Sequence, residues 1–104
     1  MSVAEYLLEE GFEVLEAGNA EEAISILEAN DTIQVMFTDI DMPGSMDGLK
    51  LSAAVRDRWP PVRIVVTSGH RVVPLADLPE DSVFYAKPYD FATIASALRN
   101  FLSS

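Results

Sequence analysis

Three residue types that can handle a phosphoryl group stand at the ends of three apolar runs in this chain. Asp39 closes "IQVMFTD", Thr67 closes "VRIVVT", and Lys87 follows "SVFYA". A carboxylate can attack phosphorus and form an acyl phosphate. The transferring group spreads charge over its oxygens, so it needs in-line positioning, a divalent cation and hydrogen-bond donors more than it needs proton shuttles. In that chemistry Asp39 is the nucleophile. Lys87 neutralises charge and the Thr67 hydroxyl donates to a phosphoryl oxygen. Backbone N–H groups after Asp39 can donate as well, helped by Gly44 and Gly48. A second acid, Asp41, lies one residue beyond the Asp39 neighbour in "FTDIDMPGSMDG". Each residue alone has a plain explanation: a turn aspartate, a strand threonine, a solvated lysine. Their joint position at strand ends is what points to function.

The elements that must position them alternate. Residues 3–10 read as a short helix stopped by Gly11. "FEVLEA" (12–17) alternates apolar and polar residues as a strand does. Asn19 can cap a helix over 20–29, whose Ala20, Ala23, Ile24 and Leu27 recur at helical spacing. A second strand spans 33–37, and a helix follows at about 47–58. "VRIVVT" (62–67) is a third strand, β-branched nearly throughout, as expected where both sheet faces are covered. Pro74 and Pro79 limit any helix over 69–79. "SVFYA" (82–86) is a fourth strand. Asp90 caps a last helix with Phe91, Ile94, Ala95, Leu98, Phe101 and Leu102 on one stripe. Such alternation predicts a single α/β domain over 1–104, with four parallel strands and helices on both faces. Sites in open sheets form beyond the carboxyl ends of the strands, and that rule brings Asp39, Thr67 and Lys87 to one rim.

Composition narrows the function. The 104 residues suffice for one domain. The formal charge of −10 repels a phosphate backbone, so direct nucleic-acid binding is not expected. No apolar run approaches the roughly 20 residues a membrane span needs, and the N-terminus lacks the basic segment of a secretory signal. The absence of cysteine excludes disulfides and thiolate chemistry and agrees with a cytoplasmic location.

"VMFTDIDMPGSMDG", "IVVTSGH" and "FYAKP" together resemble the response-regulator receiver domain of two-component signalling, over about residues 3–102. The resemblance implies a flavodoxin-like fold and no enzymatic turnover. It implies a stand-alone signalling module whose Asp39 accepts phosphate from a histidine kinase or phosphotransfer protein. Thr67 is then the switch hydroxyl, Lys87 the site lysine and Phe84 the switch aromatic. The Lys87-Pro88 bond is expected to be cis. Mg²⁺ is the implied cofactor, held by Asp39 and by the backbone carbonyl of Asp41, whose side chain is expected to point outward.

One departure stands out. The family's first strand, with an acidic pair at its end, has no counterpart before residue 3, so the sequence reads as an N-terminally truncated receiver. Weak Mg²⁺ binding and reduced phosphorylation are expected to follow. In the family's strand order, 2-1-3-4-5, that strand separates "FEVLEA" from "IQVMF". We therefore expect "FEVLEA" to pair directly with "IQVMF" in a four-stranded sheet, or the exposed edges to form a homodimer.

Two other functions compete. A phosphorylation-incompetent interaction or dimerisation module fits the same departure. A small phosphatase is suggested by Asp39-Ile40-Asp41, which resembles the D-x-D motif of haloacid dehalogenase-type phosphatases, with Asp41 as general acid. Pro43, standing where that family has Thr or Val, argues against it. His70 reads as an exposed loop residue rather than a metal ligand. Trp59 reads as helix-end packing, and Met42 and Met46 as lining of the acceptor loop.

Overall fold

A computed structural model describes residues 2–41, 46–69, 78–79 and 82–103. Four helices and three strands lie among them: α1 (Val3–Glu9), α2 (Ala20–Ala29), β1 (Val35–Asp39), α3 (Gly48–Arg58), β2 (Arg63–Ser68), β3 (Ser82–Ala86) and α4 (Phe91–Ser103). The expectations for Met42, Pro43, Gly44, His70 and most of 69–79 concern positions outside the described residues.

The helices begin where capping chemistry allows. Ser2, Asn19 and Asp47 each accept, through a side-chain oxygen, the backbone N–H three residues on, that of Glu5, Glu22 and Lys50. Gly11, at φ +94°, ends α1. Its N–H donates to the Leu8 carbonyl and that of Phe12 to the Leu7 carbonyl. This paired termination needs the left-handed backbone that glycine adopts without penalty. The Asp90 carboxylate accepts the N–H of Ala92 at the start of α4.

The strands form a parallel sheet in the order β1-β2-β3. Central β2 is buried from Ile64 to Ser68, which is what its β-branched run requires. Side chains alternate across the sheet and build two cores. Ile64 and Val66 face one core with Leu27 of α2 and Leu51 and Val55 of α3. Val65 faces the other with Leu7 of α1 and Ile94, Ala95 and Leu98 of α4. Phe84 packs on the first core and Tyr85 on the second, so the two point to opposite faces as alternation predicts. Trp59 packs at the end of α3, with the Arg58 guanidinium 4.4 Å above its ring.

Among the described residues the sheet has three strands, not the expected four. Residues 12–17 form no strand ladder. Their alternation is real: Phe12 and Val14 are half-buried and pack on the second core, while Glu13 and Leu15 are exposed. Alternation specifies which side chains go inward, but a strand also needs a neighbour for its N–H and C=O groups. Among the described residues β1 pairs only with β2, so β1 is an edge. The expected direct pairing of 12–17 with β1 does not occur.

Candidate functional site

The rim of the sheet is built by register. Asp39 is the Cα partner of Thr67, and Thr67 that of Tyr85. The chain continues past each strand by hydrogen bonds that lock the rim. The Ile40 N–H donates to the Thr67 carbonyl at 2.9 Å, and the Lys87 N–H to the Ser68 carbonyl at 3.0 Å. Strands lie about 4.8 Å apart, so Thr67 stands one strand from Asp39 and Lys87 follows the strand beyond it, all on one rim.

The Lys87 ammonium forms an ion pair and hydrogen bond with the Asp39 carboxylate. That hydrogen bond is the main reason the Lys87 pKa is raised above its usual value. Partial desolvation opposes it, and attraction to the Asp39 charge adds to it. The other Asp39 oxygen accepts the Asp41 backbone N–H at 3.1 Å. A backbone donor thus already points at the acceptor. Thr67 is fully buried, and its hydroxyl has no hydrogen-bond partner among the described residues. A buried hydroxyl without a partner is costly, and this one belongs to the residue in register with Asp39.

Gly48 plays a different part from the expected donor. Its N–H donates to the Ile40 carbonyl. A Cβ at this position would stand 2.2 Å from the Asp39 carbonyl oxygen, so α3 starts in direct contact with the acceptor backbone, and only glycine fits there. The Lys87-Pro88 peptide is cis, as expected.

The Asp41 residue is exposed, yet its carboxylate also lies 3.4 Å from the Ser68 hydroxyl, which donates to it. Ser68, and Tyr89 behind the cis peptide, are rim residues that motif reading passed over. The signal for Ser68 was its place directly after Thr67 on a strand end. Tyr89 had no such signal, because its position depends on the turn after Lys87.

This arrangement matches known proteins. Residues 1–99 match the family model of the response regulator receiver domain. The chain belongs to the response regulator receiver family. An NtrX-like response regulator from Rickettsia bellii is 33% identical over 75 residues, which are 71% of this chain and 16% of that protein. The chain therefore spans only a small part of that curated relative. The receiver domain of NtrX from Brucella abortus superposes with a TM-score of 0.86 at 25% identity, covering 98% of this chain and 88% of that one. The receiver domain of the hybrid histidine kinase CckA does so with a TM-score of 0.79 at 33% identity, covering 96% and 85%.

The flavodoxin-like receiver fold expected from the sequence is thus present. Receiver domains are signalling modules of two-component systems and generally not enzymes. They generally accept phosphate on an aspartate, with Mg²⁺ taking part, from histidine kinases or phosphotransfer proteins. Among the described residues of this receiver, no group of three or more His, Cys, Asp or Glu could hold a metal ion. No helix among them is long and apolar enough to cross a membrane.

Proposed function

We propose that this receiver is a cytoplasmic phospho-acceptor module in which Asp39 takes the phosphoryl group from a histidine kinase or phosphotransfer protein. The observation that carries the reading is the Asp39–Lys87 ion pair at the rim, with the buried Thr67 in register beside it. An Asp39 oxygen attacks phosphorus and forms the acyl phosphate. The bond from phosphorus to the donor nitrogen breaks, and that nitrogen keeps the electron pair. Lys87 stays close to the new negative charge. Thr67 supplies the hydrogen bond its hydroxyl otherwise lacks, and Phe84 serves as the switch aromatic. The Asp41 N–H adds a backbone donor.

The donor set suits Mg²⁺ only at its minimum. Mg²⁺ sites use one or two carboxylates plus phosphate and water, and among the described residues the rim offers the Asp39 carboxylate and the carbonyl of Asp41, with the Asp41 carboxylate engaged by Ser68. When bound, Mg²⁺ neutralises phosphoryl oxygens. With so few protein ligands we propose weak Mg²⁺ affinity and slow labelling for this 104-residue polypeptide. The test is labelling with acetyl phosphate and Mg²⁺. The parent takes label and Asp39→Asn does not. Equal labelling of the two rejects Asp39 as acceptor.

A second reading rests on the β1 edge. Val35, Met36 and Phe37 are only half-buried there while β2 is buried. An apolar edge strand is a template for pairing, so a homodimer through β1 is the interaction this receiver would make without phosphorylation. Light scattering separates the cases: a dimer that Met36→Lys disperses supports edge pairing, and a monomer at all concentrations removes it.

A further inference from the structure

Tyr89 is a rim side chain that neither the motifs nor the proposed transfer uses. Its ring stands edge-on to Phe37, centroids 5.8 Å apart at 73°, and tilted against Phe91 at 6.2 Å. Phe37 is two residues before Asp39 on β1, and alternation puts both on the same side of that strand. Tyr89 is therefore anchored on the face from which the Asp39 side chain projects. It also lines an open cleft of about 480 Å³ with Gly69, Lys87, Pro88 and Phe91, and Lys87 reaches from that cleft to Asp39. A ring fixed by two aromatic neighbours would be equally well served by phenylalanine. The hydroxyl is the part that packing leaves unexplained.

We propose that the Tyr89 phenol is a phosphoryl-binding donor: from the cleft beside Lys87 its O–H donates to a phosphoryl oxygen on Asp39. Two further facts agree. The phenol lies within electrostatic reach of both Lys87 and Asp39, and burial raises its pKa, with the Lys87 charge opposing and the Asp39 charge adding to the rise. It is therefore protonated at neutral pH and able to donate. The ring holds it there at little entropic cost, since an aromatic side chain has only two torsions to fix. A phenol donor also adds no charge, so it can replace water at the phosphoryl group without repelling Lys87. This gives the cleft a function: it admits the phosphodonor, and Tyr89 then covers part of the product.

The inference rests on Asp39 being the acceptor, and the experiment separates the two. The full chain and its Tyr89→Phe and Tyr89→Leu variants are labelled with acetyl phosphate and Mg²⁺, and label uptake, aspartyl-phosphate decay and thermal melting are followed. A hydrogen bond to a charged group corresponds to roughly a tenfold change. Tyr89→Phe should therefore melt like the parent yet differ from it about tenfold in uptake or decay. Tyr89→Leu should show that change and a lowered melting temperature as well. If Tyr89→Phe matches the parent in both rates while Asp39→Asn stays unlabelled, the acceptor reading stands and the Tyr89 inference falls. If the parent takes no label, both fall.

Discussion

The Asp39 carboxylate is held from two sides, by the Lys87 ammonium across the rim and by the Asp41 N–H of its own loop. The ion pair is partly open to water, with the side chains of Lys87 and Asp39 43% and 32% exposed. Exposed pairs contribute about 0–1 kcal/mol to stability. Lys87→Met should therefore shift urea unfolding by less than about 1 kcal/mol. Removing a donor aimed at developing charge costs about a hundredfold or more in rate, so the same variant should be nearly unlabelled by acetyl phosphate. Unchanged labelling would show that Lys87 is only a surface partner.

Thr67→Val should separate stability from signalling in the opposite sense. The hydroxyl is buried and has no partner among the described residues, so replacing it with a methyl group of similar shape removes a desolvation cost of about 1–3 kcal/mol. The variant is expected to be at least as stable as the parent in urea, while its aspartyl phosphate decays at a different rate. A clear loss of stability would mean that the hydroxyl is satisfied in solution.

Gly48→Ala should be costly in a way that ordinary helix propensity does not predict. Alanine favours helices over glycine by about 1 kcal/mol, but a Cβ here meets the Asp39 carbonyl oxygen at 2.2 Å. That contact is with backbone and cannot be relieved by a rotamer change, so a net loss of about 1–3 kcal/mol is expected. Gly18→Ala is the control. Its nearest contact is the Glu22 side chain at 3.7 Å, and urea unfolding should change by no more than about 0.5 kcal/mol.

Much of this was legible before the fold was known. Capping residues Asn19 and Asp90 and the stop at Gly11 could be read because their chemistry is local. The rim could be read because parallel strands of known direction put their carboxyl ends together. The 12–17 segment could not. Its Phe12 and Val14 do point inward, but whether an extended segment becomes a strand depends on a neighbour elsewhere in the chain. Gly48 was read as a loop donor because nothing in its flanking residues tells that α3 begins against the Asp39 carbonyl. Tyr89 carries no such local signal, because its ring is placed by Phe37 and Phe91, which belong to other elements.

Alkaline stability should carry the mark of two rim groups. Lys87 has a raised pKa through its hydrogen bond to Asp39, and Tyr89 has one through burial. Both hold their protons more tightly in the folded state than in the unfolded one. Their contributions are therefore complete below the ordinary values of 10.5 and 10.0 and are lost as pH rises through the raised ones. Thermal melting followed from neutral pH to pH ~11 should fall less steeply in the Lys87→Met/Tyr89→Phe double variant than in the parent. Parallel curves would show that neither proton is linked to folding.

Borohydride reduction is the most direct test of the central claim that Asp39 is the acceptor. It converts an aspartyl phosphate to homoserine, and mass spectrometry of the resulting peptides locates the conversion. The chain treated with acetyl phosphate and Mg²⁺ should carry homoserine at position 39, and none when phosphodonor is withheld. Conversion at position 41 instead, or no conversion in a sample that carries label, would contradict the account.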